Sequence, residues 1–401
     1  MPPVRILSFE QVAAVLDRID KEAILTSQAQ AFHAYSLQET QTPQRIGLET
    51  DLHKTLIMPS RINTLTSTVK IVSVPKTNSK DGLPSMTIVL DNITGEPKGL
   101  VNARLLTALR TAAGSALATR AVFTSKRGQD SQKLTLVVFG SGAQAKAHIQ
   151  LLAYVLPQRI QEVVICNRSL PRARDLVEEL GPQMPSISIK AYSTGTGEFY
   201  PEPESQGVDL SNEDRLRKIV QRADVICTCT NSHQALFPGE WVQPGAHLNM
   251  VGSYTPEMHE VDQTLIRRAF TIVDARRECE EEAGEFILAR KEAGDYGVLV
   301  EIGQIFNKAG EFDKARFPAQ IAQLPITQAS VLSPSTSGAP EPLDTNSGSP
   351  SSTEPGQAKT LTPQRDVSIF KSVGIAAQDV AITSLVLDVA EQMDVGTVVP
   401  F

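Results

Sequence analysis

The residues best placed to do chemistry in this chain form a glycine loop. Gly140, Gly142 and Ala145 stand as G-x-G-x-x-A, directly after the apolar run LVVF and before a run with helical spacing that reaches residue 152. Each position has a physical role. Gly140 allows a tight turn, Gly142 lets the backbone approach a pyrophosphate, and Ala145 keeps the helix close to the strand. Ala143 and Gln144 open that helix, where unpaired N–H groups and the helix dipole favour an anion. On this reading Gly140, Gly142, Ala143 and Gln144 bind a dinucleotide; a tight strand-to-helix turn with no ligand is the plainer alternative. The next apolar strand, EVVIC, ends in Asn167, Arg168 and Ser169. NAD readers place a carboxylate there for the ribose 2′-hydroxyl, whereas a guanidinium can bind a 2′-phosphate bidentately. The pattern favours NADP(H) over NAD(H), with a solvated loop arginine as the alternative for Arg168.

Three basic residues stand outside that unit. Lys70 interrupts TVKIVSV and shares a face with Val72 and Val74. A buried ammonium is costly unless it meets an anion or its tip snorkels to water, and both readings stay open. Arg110 sits beside Thr111 on an alanine-rich helical run, where a structural carboxylate partner is the alternative. Arg45 follows Pro43 and can equally be a loop charge. The six histidines show no H-x-x-x-H or H-E-x-x-H spacing, so no metal site is expected. The acidic run ECEEEAGEF reads as a solvated helix face, and Asp379 as a helix cap or an arginine's partner.

Elements must hold these groups in place. The chain has 401 residues, more than one ordinary domain, with 41% hydrophobic and 21% charged residues, a globular composition. A net charge of −7 argues against nucleic acid as a partner. Cys166, Cys227, Cys229 and Cys279 show no C-x-x-C and read as reduced thiols. The N-terminal stretch has no basic leader and no run approaches a membrane span, so a cytoplasmic protein with no membrane partner is expected. Ser8 and Gln11 make a capping box that opens a helix to about residue 20, and TSTVKIVSVP alternates as a strand. Residues 102–120 have helical spacing. From about 133 the pattern becomes strand, glycine turn, helix, strand, helix, strand, a doubly wound parallel unit. RECEEEAGEFILARKEAG reads as helical, and DVSIFKSVGIAAQDVAITSLVLDVAEQM as strand, turn and helix. The stretch YSTGTGEFYPEPESQGVDLSNED reads as an extended surface loop, and residues 331–364 as a low-complexity insertion with no apolar face.

Taken together, TPQRI, LIMPS, KIVSVP, TALRTAAGSALAT, VVFGSGAQAKAHIQ, PGAHLNMVGSYTPEMHEVD and DVSIFKSVGIAAQDVAIT resemble, in order and over nearly the whole chain, the ornithine cyclodeaminase/mu-crystallin family. The resemblance implies an α/β fold, with a Rossmann nucleotide domain (125–325) inserted into an α+β substrate and dimerisation domain (1–124), which the segment 365–401 completes. It also implies a homodimer and roles for residues. Arg45 and Arg110 look like clamps on a substrate carboxylate, Lys70 like the catalytic or orienting ammonium, and Met58 like a pocket wall. Thr111, Thr230, Asn231, Val251 and Ser372 resemble cofactor-contacting positions, and Asn167, Arg168 and Ser169 match the 2′-phosphate loop of NADP-using members.

One position departs from the family pattern. Where its cyclodeaminases carry an aspartate in the stretch matching GSYTPE, this chain has Tyr254. That favours reduction of a small carboxylated imine, with a cyclic or N-substituted amino acid as product, over ornithine deamination or amino-acid dehydrogenation. A non-catalytic NADPH-dependent binding protein would be expected to lose Lys70 or the arginine clamp, and neither is lost.

Overall fold

The computed structural model describes residues 3–76, 83–126, 132–202, 210–293, 297–325 and 365–400. Within them the chain builds two sheets, and the difference between them follows from burial patterning. In strands His53–Ile62 and Ser67–Pro75, buried and half-buried residues alternate, the signature of a sheet covered on one face. They lie in an eight-stranded sheet in which Pro3–Leu7 pairs parallel with Pro97–Asn102 and the other neighbours are antiparallel. Strand Leu134–Phe139 is instead buried at nearly every position, as a parallel strand covered on both faces must be. It lies in a nine-stranded sheet, parallel except for the short edge strand Phe199–Tyr200. The fold is α/β, with a doubly wound Rossmann sheet joined to an α+β unit.

The order of the nine strands places the site. Ser188–Ser193, Ile160–Asn167 and Leu134–Phe139 run outward one way, and Val225–Thr228 and His247–Met250 the other. The switch in direction falls beside Leu134–Phe139, and a crevice opens there at the carboxyl ends of the strands.

The segment from residue 365 serves both sheets. Its strand Val367–Lys371 is buried throughout and sits between His247–Met250 and Ala269–Val273 of the nucleotide sheet, its apolar residues covered on both faces and its polar Ser368 and Lys371 hydrogen-bonded. Its helix Ala376–Gln392 packs on the eight-stranded sheet, and Thr397–Pro400 then pairs with Pro3–Leu7. The helical run of the alanine-rich segment extends over Arg104–Ser125 and carries Gly114, where an added Cβ would lie 3.1 Å from Phe32 and 3.3 Å from Phe370. That close approach ties the helix to both halves.

Some expected boundaries moved. The capping box at Ser8 is present, but its helix ends at Leu16, and Asp20 caps a second helix, Lys21–Ser36, by accepting from the Glu22 N–H. The polar stretch expected as one extended loop contributes to strand Ser188–Ser193, to Phe199–Tyr200 and to a helix, Asn212–Gln221, capped by Ser211. Its middle lies outside the described residues, as do positions 331–364. The acidic run is two helices, Arg276–Glu282 and Gly284–Ala293, broken where a Cβ at Gly284 would lie 2.1 Å from the Met258 carbonyl oxygen.

Candidate active site

A cleft of about 1290 Å³ runs from the glycine loop to the eight-stranded sheet. At its nucleotide end, Gly140 has φ +107°, and a Cβ there would lie 2.7 Å from the Cys229 carbonyl oxygen, so only glycine makes this turn. Gly142 has open space where its Cβ would point, and helix Ala143–Val155 starts at the next residue without a side-chain cap. An uncapped helix start on an open backbone is the geometry that takes a pyrophosphate. Gln144 lines the cleft, while Ala143 contributes the first helical turn and is not on the wall.

Asn167 and Arg168 also line the cleft; Asn167 Nδ2 donates to the Ser169 carbonyl at 2.8 Å. Ser169 is the N-cap residue of helix Leu170–Leu180 and stands off the wall. Arg172, in the first turn of that helix, lines the cleft as well. Sequence reasoning misses it; the signal is a second arginine four residues after the first. Neither guanidinium makes an ion pair among the described residues, and both side chains are exposed.

The end at the eight-stranded sheet is built differently. Lys70 pairs in register with Met58 on one side and Thr87 on the other, and its side chain is 1% exposed. It does not snorkel: Nζ lies 2.7 Å from Asp379 Oδ2. Asp379 stands in the first turn of helix Ala376–Gln392, which favours a carboxylate there, and its other oxygen lies 3.5 Å from Arg110 Nε. Arg110 Nη1 donates to Gln378 Oε1 at 3.1 Å, and Gln378 Nε2 donates back to the Arg110 carbonyl at 2.8 Å. Gly374, at φ +80°, makes room: a Cβ there would be 2.4 Å from Arg110 Nη1. Asp379 is therefore the partner of both cations. Burial lowers the Lys70 pKa to about 8, with Arg110 and Arg45 adding to the effect and Asp379 opposing it.

Arg45 reaches the cleft from the loop before strand Ile46–Glu49. Its Nε donates to Glu282 Oε1 at 3.1 Å, Nη2 bonds the other Glu282 oxygen, and Nη2 also donates to the Val373 carbonyl at 3.3 Å. Beside it, Gln44 Nε2 donates to Glu281 Oε2 at 2.9 Å. Burial raises the Glu282 pKa and Arg45 holds it back.

The acidic run is thus not simply a solvated face. Glu282 binds Arg45, and fully buried Glu285 accepts from Ser253 Oγ at 2.8 Å and from the Glu260 N–H at 3.0 Å. Helical periodicity alone misses this, because the partners come from loops far away in sequence.

The remaining predicted positions meet in the same cleft. Thr111, Thr230, Asn231, Val251, Ser372 and Met58 all line it, as does Tyr254. Several hydroxyls are already engaged: Thr111 Oγ1 donates to the Thr107 carbonyl, Ser372 Oγ to Asp274 and Thr230 Oγ1 to Glu260. Glu260, which sequence reasoning misses, accepts four bonds of 2.7–2.8 Å, from Thr228 Oγ1, Thr230 N–H, Thr230 Oγ1 and Gly252 N–H. It ties two loops of the cleft together. Across the whole lining the cations are Arg45, Lys70, Lys76, Arg110, Arg168 and Arg172, and no carboxylate lines the cleft among the described residues. Such a wall is electrostatically suited to anions.

Comparison with known proteins finds the same family. The model of the ornithine cyclodeaminase/mu-crystallin family matches residues 7–314. A Delta(1)-pyrroline-2-carboxylate reductase of Bacillus cereus is 25% identical over 389 residues, covering 96% of each chain. Ketimine reductase mu-crystallin of Rattus norvegicus is 27% identical over 245 residues, 60% of this chain and 66% of that protein. Among solved structures, Thermococcus litoralis Delta(1)-pyrroline-2-carboxylate reductase, in complex with NADH and L-proline, superposes with a TM-score of 0.71 at 22% identity, covering 98% of this chain and 99% of that one.

Proposed function

The chain belongs to the ornithine cyclodeaminase/mu-crystallin family, and from that premise we propose that it is an NADP(H)-dependent oxidoreductase that reduces a small carboxylated imine, a cyclic one above all, to the amino acid. The observation that carries this reading is a single cleft with an uncapped glycine turn at one end, a buried Lys70–Asp379–Arg110 cluster at the other, and cations without carboxylates along its described wall. The residues fit a nicotinamide dinucleotide. The Gly140–Gly142 turn and the first helical turn from Ala143 would hold the pyrophosphate, Asn167, Arg168, Ser169 and Arg172 the ribose and its 2′-phosphate, and Thr111, Thr230, Asn231, Val251 and Ser372 the rest. When bound, that group supplies a hydride for the carbon of the C=N bond.

The protein's own part is positioning and charge. Arg45 and Arg110 hold the substrate carboxylate, and Met58 with its neighbours on the sheet supplies an apolar wall. Holding the C=N carbon at the cofactor's face removes much of the entropic barrier. Lys70, with a pKa near 8, is still mainly protonated at neutral pH. It orients the substrate and can give or relay a proton. Reduction in this direction needs no general base, in keeping with Tyr254 where a deaminating site would need a carboxylate.

A homodimer accompanies this reading. The outer face of the eight-stranded sheet carries Ile57, Val69, Ile71, Ile88 and Leu100, half-buried, with Met86 exposed beside them, an apolar face suited to a second copy.

The test is NADPH oxidation measured against a panel of cyclic imino acids, run beside an assay for ammonia and proline from ornithine. Turnover of a carboxylated cyclic imine with little ammonia release is expected. Robust conversion of ornithine to proline would replace this reading with the deaminase one.

A further inference from the structure

The imine reading needs a hydrogen-bonding group for the substrate nitrogen, and the nearest candidates differ in how free they are. Lys70 is locked on Asp379, and Arg45 on Glu282 and the Val373 carbonyl. The Tyr254 phenol lines the same cleft, is mostly buried, and makes no hydrogen bond among the described residues. Its loop packs beside Arg45: the Pro256 and Met258 carbonyl oxygens lie 2.8 and 2.1 Å from where a Cβ on Gly284 would stand, two residues after Glu282, which binds Arg45. Its backbone is rigidly carried: the Gly252 N–H is bound by Glu260, the Ser253 hydroxyl by Glu285 and the Met258 carbonyl, and the Ser253 carbonyl accepts from Lys371 Nζ at 2.7 Å. A buried, hydrogen-bonded platform that ends in one unpartnered phenol is a placed donor.

We propose that Tyr254 is a substrate-contacting residue, whose hydroxyl donates a hydrogen bond to the imine nitrogen and makes the site select imines over ammonium-bearing amino acids. The inference rests on the reductase reading and specifies which chemical form the site takes. An imine nitrogen has a lone pair and accepts from the phenol. An α-ammonium group offers only N–H donors and finds no unpaired counter-charge, because the nearby carboxylates Asp379 and Glu282 already face Lys70, Arg110 and Arg45. Burial raises the phenol's pKa, so it stays a neutral donor through the physiological range.

The experiment compares wild type with Tyr254→Phe on two ligands. Delta(1)-pyrroline-2-carboxylate carries the nitrogen; cyclopent-1-ene-1-carboxylate keeps the ring and carboxylate but has carbon in its place and is read as an inhibitor. The variant should lose about tenfold in kcat/KM for the imine, the range of one lost hydrogen bond, while inhibition by the carbon analogue and NADPH affinity stay near wild type. An unchanged kcat/KM overturns the inference. So does an equal loss on both ligands, which marks Tyr254 as structural or as a carboxylate contact. If wild-type protein binds NADPH and the carbon analogue yet turns over no cyclic imine, the reductase reading fails and takes this inference with it.

Discussion

The two ends of the cleft carry their cations by opposite means. At the nucleotide end the groups come from short contiguous stretches, the guanidiniums of Arg168 and Arg172 are exposed, and no ion pair holds them among the described residues. At the other end Lys70, Arg110 and Asp379 come from three distant segments and are nearly fully buried, the two cations sharing one carboxylate. Exposed cations are stable without a partner because water solvates them. Buried ones require a counter-charge whether or not substrate is present. Substitutions at the substrate end should therefore disturb folding as well as chemistry, and those at the nucleotide end binding alone.

Asp379→Asn is the severest way to break that contrast, since it leaves two buried cations without their carboxylate. We expect a loss of about 3–5 kcal/mol in a denaturant unfolding titration, the cost of stripping one partner from a buried pair. Arg168→Asp, by the same comparison, should leave the unfolding midpoint near wild type. Equal midpoints for the two variants would show that the buried cluster carries no such burden.

Lys70 sharpens the comparison on the chemical side. Lys70→Ala should collapse turnover while NADPH binding at the far end stays near wild type. In the unaltered protein, activity that depends on the protonated ammonium is full below a pKa of about 8 and is lost as pH rises through it, falling roughly tenfold per unit beyond. Asp379 raises that pKa, so any residual activity of Asp379→Asn should lose its alkaline limb at lower pH. A pH profile of kcat/KM for both proteins reads the sign.

Arg45→Ala removes a charged contact made in ground and transition states alike. KM for the imine should rise about ten- to a hundredfold with little change in kcat. A fall in kcat at constant KM would assign Arg45 a role in the transition state instead.

At the nucleotide end, Arg168→Asp should narrow or reverse a preference for NADPH over NADH worth about 1.5–3 kcal/mol, measured as the ratio of dissociation constants. Equal affinities in wild type would count against the NADP(H) assignment. The smallest effect is expected from replacing residues 331–364 with a short Gly/Ser link. Loop closure changes by only about 0.6 kcal/mol per doubling of length, so melting temperature and activity should hold.

How far each end is legible in the sequence tracks its construction. The G-x-G-x-x-A loop and Asn167-Arg168-Ser169 stand out because local backbone geometry sets which residues a strand-to-helix turn permits. Lys70, Arg110 and Arg45 stand out as charges out of place, with their roles supplied by the family resemblance. Their partners are harder to find. Asp379 has no visible target along the chain, Glu282 and Glu285 look solvent-facing, nothing in the local pattern marks Glu260, and Arg172 is marked only by its spacing from Arg168. Helical spacing identifies a face but says nothing of what packs on it.

The sequence by itself determined the α/β class and the nucleotide turn, because these rest on short-range patterning of apolar residues and glycine, and it carried the family through its resemblance to a set of ordered motifs. Only the tertiary structure decided that Val367–Lys371 enters the nucleotide sheet while the next helix returns to the other, and that the turn between them delivers Gly374 beside Arg110 and the start of that helix Asp379 beside Lys70. The reason is electrostatic as much as topological. A buried charge must be matched by whatever opposite charge the fold brings within a few ångströms, and that distance is set by packing between segments far apart in the sequence.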